Sequence, residues 1–200
     1  MSTATDQGKN PLYPVFLKLE QLRVLVVGGG HVAQEKLTSL LSNSPATVIT
    51  IVAPVIRDEV RELVSAHPAC NILLRSFEET DLENVEIVIC ATDDKVLHKQ
   101  IKEIANARKL LVNVADTPEL CDFYLGSIVQ KGNLKIAIST NGKSPTIAKR
   151  VKEVLQETIP EQIDSLLENM QGLRNKMSGD FSEKVKRLNE LTKQLSLKQS

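Results

Sequence analysis

The sequence predicts an α/β fold built on a parallel sheet, and three observations carry that prediction. Arg23-Val24-Leu25-Val26-Val27 is a β-branched and aliphatic run of the kind that forms a buried parallel strand. It ends in Gly28-Gly29-Gly30, after which Ala33, Leu37, Leu40 and Leu41 recur at helical spacing. Further on, short apolar runs alternate with amphipathic segments as far as Val114, the grammar of β-α-β units. Together these describe a Rossmann-type parallel sheet. A small β region and a helical C-terminal domain follow it.

Each element has its own signal. Residues 1–10 are small and polar and read as a flexible arm. Leu12 to Leu19 alternates well enough for a short strand before the first sheet strand, Arg23 to Val27. A helix is expected over His31 to Ser42, a strand over Thr47 to Val52, and a helix over Arg57 to Ala66 with Val60, Leu63 and Val64 on one face. Asn71 to Arg75 and Val85 to Ala91 read as strands, Val96 to Ala107 as a helix, and Leu110 to Val114 as the last parallel strand. After Asp116 the pattern changes. Phe123 to Val129 and Leu134 to Ser139 flank Lys131-Gly132-Asn133, a hairpin signal. Ser144-Pro145 is an N-cap followed by proline at the first helical position, opening a helix that Ile159-Pro160 ends. Ile163, Leu166, Leu167, Met170, Leu173 and Met177 trace a further helical stripe. Gly179 interrupts it, and Val185, Leu188, Leu191 and Leu195 make a last one. The expected boundaries are 1–10, 11–116, 117–143 and 144–200.

Composition excludes several classes. The 200 residues carry 25 Lys and Arg against 25 Asp and Glu, so no global field marks a nucleic-acid or membrane partner. Aromatics make up 3% and tryptophan is absent, which argues against a base-stacking surface. Cys70, Cys90 and Cys121 are odd in number and too widely spaced for a zinc site or a disulfide framework. Cys90, inside an apolar strand, reads as a small core hydrophobe. No signal-peptide core or membrane-length apolar run is present, and a soluble, reducing, cytoplasmic setting is the expectation.

The chemistry is expected at the carboxyl ends of the strands, where open α/β sheets bind ligands. Gly28-x-Gly30-x-x-Ala33, set between a strand and a helix, is the dinucleotide-binding fingerprint. Gly28 permits the tight turn, Gly30 clears a path to the backbone for pyrophosphate, and Ala33 lets helix and strand pack closely. The helix N-terminus offers unpaired amides and the positive end of its dipole to the phosphates. Ala53-Pro54-Val55, Ala91-Thr92-Asp93-Asp94 and Asn113-Val114-Ala115-Asp116 are the other strand ends. The second strand lacks the usual acid for the adenosine ribose, so the sequence leaves both NAD and NADP open. Asp116 is the sharpest catalytic candidate, equally readable as a cap of the Thr117-Pro118 turn. His31 has no second His or Cys at ligand spacing and reads as a turn residue, while His67 and His98 read as surface residues. From Phe123 to Lys152 there is no Asp or Glu, while Lys131, Lys135, Lys143, Lys149, Arg150 and Lys152 all occur. With the Ser144 helix start, this segment suits a carboxylate-rich ligand.

Gly28-Gly29-Gly30-His31-Val32-Ala33-Gln34-Glu35-Lys36, Ala91-Thr92-Asp93-Asp94, Asn113-Val114-Ala115-Asp116 and Ser139-Thr140-Asn141-Gly142-Lys143-Ser144-Pro145 occur in order, after a Tyr13-Pro14-Val15-Phe16-Leu17 opening. Over about residues 11 to 170 the chain resembles the precorrin-2 dehydrogenase/sirohydrochlorin ferrochelatase module of sirohaem synthesis. The resemblance implies a homodimer whose subunit has a Rossmann domain, a small dimerisation region at 117–143 and a helical domain. It implies NAD-dependent oxidation of precorrin-2 to sirohydrochlorin, with insertion of ferrous iron in bifunctional members. Asp116 falls on the family's catalytic aspartate, near which Fe2+ would pass transiently without a preformed metal site. His31, Val32, Pro54 and Val55 fall on NAD contacts, joining Gly28, Gly30, Ala91, Thr92, Asn113 and Val114 as the expected cofactor site. Thr140 falls where some relatives carry a serine near the tetrapyrrole. With Asn141, Lys143, Ser144 and Arg150 it forms the expected substrate site. Glu35 stands in place of a commonly basic residue and Asn141 in place of a glycine. No methyltransferase domain follows, which implies a chain that consumes precorrin-2 without making it. The alternatives are a dehydrogenase lacking chelatase activity, or a non-catalytic nucleotide sensor like the regulatory domains of potassium transporters.

Overall fold

The computed structural model describes residues 10–177 and 180–192. The chain divides into two compact units, 1–125 and 126–200, each described by itself.

The first unit is a five-stranded parallel sheet. Its strands are β1 (Arg23–Val27), β2 (Val48–Val52), β3 (Cys70–Leu73), β4 (Ile87–Cys90) and β5 (Leu111–Val114), in the order β3-β2-β1-β4-β5. All four pairings are parallel, with Val27 opposite Val52 on one side and Cys90 on the other. Helices α1 (His31–Asn43), α2 (Asp58–Ser65) and α3 (Lys95–Ala107) complete the layers. Alternation along β1 divides the core in two. Val24 and Val26 pack with Leu37, Leu41 and Val60 of α1 and α2, whereas Leu25 and Val27 pack with Ile101 and Ala105 of α3. Both faces of the sheet are covered, which is why its strands read as continuous apolar runs.

The chain reverses order between β1 and β4, and the glycine turn stands at that switch. Beyond β5 it makes a short helical turn, Pro118–Leu120, and runs back along the outer edge of β5. There Asp122 N–H donates to the Val112 carbonyl at 2.8 Å, and Val112 N–H donates to Asp122 Oδ2 at 2.9 Å. Val114 N–H donates to Cys121 Sγ at 3.2 Å, and that thiol donates to the Val114 carbonyl at 3.1 Å. Lys102 of α3 clamps the other oxygen of Asp122 at 2.5 Å.

The second unit holds an antiparallel hairpin, β6 (Ser127–Lys131) and β7 (Leu134–Ile138), and helices α4 (Pro145–Thr158), α5 (Ile163–Lys176) and α6 (Phe181–Thr192). Val129 and Ala148 are buried where α4 packs on the hairpin. Gly132 turns the hairpin in the left-handed region, and a Cβ there would run into the Asp164 carboxylate. That carboxylate accepts from Asn133 N at 2.6 Å and from its side-chain amide at 2.9 Å.

Several expectations are corrected. Residues 12–18 form no strand: Pro11 and Pro14 lack an N–H, and Tyr13, Val15 and Phe16 are exposed. The compact first unit runs to Leu125, and Leu120, Cys121, Phe123 and Leu125 pack on the sheet cores. For the same reason β6 begins at Ser127 and not at Phe123. The hairpin and α4 share one compact unit. His98 is buried, not on the surface. Residues 1–9, Gly179 and Leu195 lie outside the described residues.

Candidate active site

Along the carboxyl edge of the first sheet, the glycine turn is built to different tolerances at each position. Gly28 has φ +125°, and a Cβ there would strike the Ala91 carbonyl. Its N–H donates to the Val52 carbonyl at 2.9 Å, so the turn is held to β2 as well as to β4. A Cβ on Gly29 would meet the Val55 carbonyl and Ile56. Gly30 differs: its backbone is ordinary (φ −88°), and a Cβ would meet nothing within 4 Å. The fold therefore does not need glycine at position 30, and the space beside it is open. Gly30 is the N-cap of α1 and offers no side chain to the first amides of that helix. A pyrophosphate needs such a clear approach and such unpaired donors, so this cradle fits a dinucleotide.

The expected cofactor residues gather at this edge. His31 opens α1 and is exposed, Val32 is half-buried, and Pro54 and Val55 lie exposed beyond β2. Ala91 is buried behind Gly28, and Thr92 is half-buried beside it. Asn113 behaves differently. It is buried, and its amide donates to the Phe123 carbonyl at 2.8 Å, so the side chain is taken up by the connector. Val114 is buried alongside it.

Asp116 follows β5 with φ +54°, a left-handed conformation uncommon for a residue with a side chain. It is exposed, and no hydrogen bond engages its carboxylate among the described residues. The Thr117 hydroxyl, not Asp116, closes the local turn, donating to the Ala115 carbonyl at 3.2 Å. Asp116 lines a recess of about 230 Å³ with Lys95, His98, Lys99, Thr117, Glu119 and Leu120. Two lysines thus share the recess with the carboxylate.

His98 is the residue that sequence reasoning missed. Its Nε2 lies 2.9 Å from Thr92 Oγ1, and its Nδ1 is buried without a partner among the described residues. Burial outweighs the nearby Asp94 and Asp93 and lowers its basicity below the usual imidazole value. The signal was present: His98, Ile101 and Ala105 share one buried face of α3. Asp94 fixes the start of that helix by accepting from Val96 and Leu97 amides, both at 2.9 Å.

In the second unit the expected substrate residues form one tight loop and a helix start. Lys143 N–H donates to the Thr140 carbonyl at 3.0 Å. The Thr140 hydroxyl accepts from Ser144 N–H at 3.2 Å and donates to the Ser144 carbonyl at 3.1 Å. Ser144 Oγ caps α4 by accepting from Ile147 N–H at 3.2 Å. Asn141 and Gly142 both have positive φ. Lys143 is exposed. Arg150 is answered by Glu153 at 2.6 Å and Lys131 by Glu161, so acids beyond the acid-free run neutralise part of its charge. Among the described residues no cluster of three or more His, Cys, Asp or Glu is placed to hold a metal ion. No described helix is long and apolar enough to cross a membrane.

The sheet order, the open glycine cradle and the strand-end carboxylate define a Rossmann protein of the dinucleotide-binding class. Residues 15–127 match the family model described as "Putative NAD(P)-binding", and residues 131–158 match "Sirohaem biosynthesis protein central". The solved structure titled "SirC, precorrin-2 dehydrogenase" superposes with a TM-score of 0.72 at 31% identity, covering 93% of this chain and 94% of that one. The chain belongs to the family of that precorrin-2 dehydrogenase. It is also 38% identical over 174 residues to the siroheme synthase of Psychrobacter arcticus, covering 87% of this chain and 30% of that protein. To the siroheme synthase of Pseudoalteromonas translucida it is 39% identical over 168 residues, covering 84% and 35%. The chain thus spans about a third of the siroheme synthases it matches.

Proposed function

We propose that this protein oxidises precorrin-2 to sirohydrochlorin with NAD, and that it also inserts ferrous iron to give sirohaem. The single observation that carries the reading is Asp116. Its carboxylate stands beyond β5 at the strands' carboxyl edge, takes no part in hydrogen bonding among the described residues, and shares a recess with Lys95 and Lys99. NAD, when bound, supplies the hydride acceptor.

The protein's own task is positioning and proton handling. Gly28, Gly30, His31, Val32, Pro54, Val55, Ala91 and Thr92 form the cofactor edge, with Asn113 and Val114 contributing backbone behind it. Asp116 takes the proton that precorrin-2 releases as it loses a hydride. In chelation the same carboxylate receives protons from the pyrrole nitrogens as Fe2+, a substrate, enters the macrocycle. Precorrin-2 bears eight carboxylates in this reading, and Thr140, Asn141, Lys143, Ser144 and Arg150 form the basic loop that receives them.

A homodimer belongs to the same proposal. β6 and β7 form a two-stranded sheet with unpaired outer edges among the described residues, which a second copy would cover. Light scattering at micromolar concentration should report twice the chain mass. Cytoplasmic residence also belongs to it, supported by three free thiols.

The deciding experiment incubates the pure protein with enzymatically generated precorrin-2 and NAD, follows the visible spectrum, then adds ferrous iron anaerobically. The sirohydrochlorin spectrum should appear in the first stage and that of sirohaem in the second. No change with NAD would overturn the oxidation, and a spectrum static after iron would leave a dehydrogenase alone.

A further inference from the structure

In dinucleotide-binding sheets the group at the end of the second strand reads the adenosine ribose. An acid there accepts from the 2′-hydroxyl and selects NAD, whereas an arginine that holds a 2′-phosphate selects NADP. Here β2 is followed by Ala53-Pro54, which can do neither. The charged groups come later, at the start of α2, and the structure brings that start against the glycine turn. Arg57 N–H donates to the Gly29 carbonyl at 3.0 Å.

The Arg57 guanidinium is already occupied. Its Nη2 donates to Glu59 Oε1 at 2.6 Å and its Nε to Glu59 Oε2 at 3.2 Å, a two-pronged grip. The Glu59 carboxyl lies below the usual carboxylate range, first because of those bonds, with His31 of the glycine turn adding a smaller electrostatic pull. Glu59 is thus held against Arg57 in the first turn of α2, whose start meets the glycine turn through the Arg57 amide.

We propose that Glu59 sets the cofactor preference by occupying Arg57 and presenting negative charge where a 2′-phosphate would sit. This rests on the dinucleotide reading above. NAD meets a carboxylate able to accept from its ribose hydroxyls. NADP would have to displace that carboxylate from Arg57 and then lie beside it. Without the Glu59 charge, Arg57 would offer a free guanidinium fork at the N-cap of α2, a good phosphate binder. Asp58, in the same first turn, keeps one negative charge nearby and limits the switch to a shift in ratio.

The test is direct titration of the whole protein by calorimetry, with NAD and NADP separately and no tetrapyrrole present. Wild type should bind NAD more tightly. Glu59→Gln should improve NADP affinity relative to NAD by roughly tenfold, and adding Arg57→Ala should abolish that gain. A Glu59→Gln ratio equal to wild type, or a wild type that prefers NADP, overturns the role of Glu59 while leaving a dinucleotide site in place. Failure of wild type to bind either nucleotide overturns the site itself.

Discussion

His98 Nε2 sits 2.9 Å from the Thr92 hydroxyl, joining the buried face of α3 to the end of β4, while the other ring nitrogen is buried with no partner among the described residues. The ring is accommodated neutral. Protonation would place an unpaired N–H⁺ in the interior, and burial accordingly lowers its pKa from 6.5 despite Asp94 and Asp93. The unfolded chain takes up this proton at a higher pH than the folded one. Stability is therefore full above about pH 6.5 and is lost as pH falls toward the depressed folded value. The melting temperature should drop between pH 7 and 5.5, and His98→Leu should remove that part of the decline. Depressed carboxylates such as Glu86 and Asp81 act at lower pH, below their usual values of 4.5 and 3.8.

Two glycines two residues apart should respond in opposite ways. Gly28→Ala forces a side chain into φ +125° and against the Ala91 carbonyl, and should destabilise by more than about 1–3 kcal/mol. At Gly30 a Cβ meets nothing within 4 Å, and Gly30→Val should stay within about 1 kcal/mol of wild type in chemical denaturation. The same Gly30→Val should weaken NAD binding by roughly tenfold or more, because its side chain fills the pyrophosphate path. Unchanged NAD affinity in Gly30→Val would move the cofactor elsewhere.

Asp116→Asn tests catalysis against fold. Asn tolerates the left-handed conformation at least as well as Asp, and no hydrogen bond is lost. Melting temperature and NAD affinity should match wild type. Dehydrogenase turnover should fall by roughly 10²–10⁴-fold, and iron insertion should fall with it. A mutant that melts early but turns over normally would make Asp116 a turn residue only.

The basic loop should act unequally. Lys143 is exposed without an ion pair among the described residues, whereas Arg150 already faces Glu153. Lys143→Glu should raise the KM for precorrin-2 with little change in NAD affinity, and Arg150→Glu should do so less. Both effects should shrink with added salt. Equal weakening of both ligands would make the loop structural.

Much of this was legible from the chain. The parallel strands stood out because both sheet faces are covered, and the helix from Pro145 to Thr158 because Ser144 and Pro145 mark its start. Asn141 sits at φ +53°, a position Asn accepts more readily than most residues. What escaped were pairings between residues that no periodicity links. Nothing local ties His98 to Thr92, Asn113 to Phe123, or Arg57's backbone to Gly29. Residues 12–18 alternate like a strand, but alternation records only which side a residue faces and not whether a neighbouring strand exists. Glu59 carries no sequence signal of its own, because its bond to Arg57 lies in the first turn of α2 and not at the end of β2.

The strip from Cys121 to Asp122 has a consequence for how this protein can go wrong. An open sheet is a template, and two exposed margins would let copies stack into an unending ribbon. Here the β5 margin is already stitched by a carboxylate and a thiol from its own chain, while among the described residues no strand pairs with the β3 margin. A single sticky margin can zip two molecules together and then nothing more. Growth through this sheet would then stop at a pair, and cutting the stitch at Asp122 should expose the second margin.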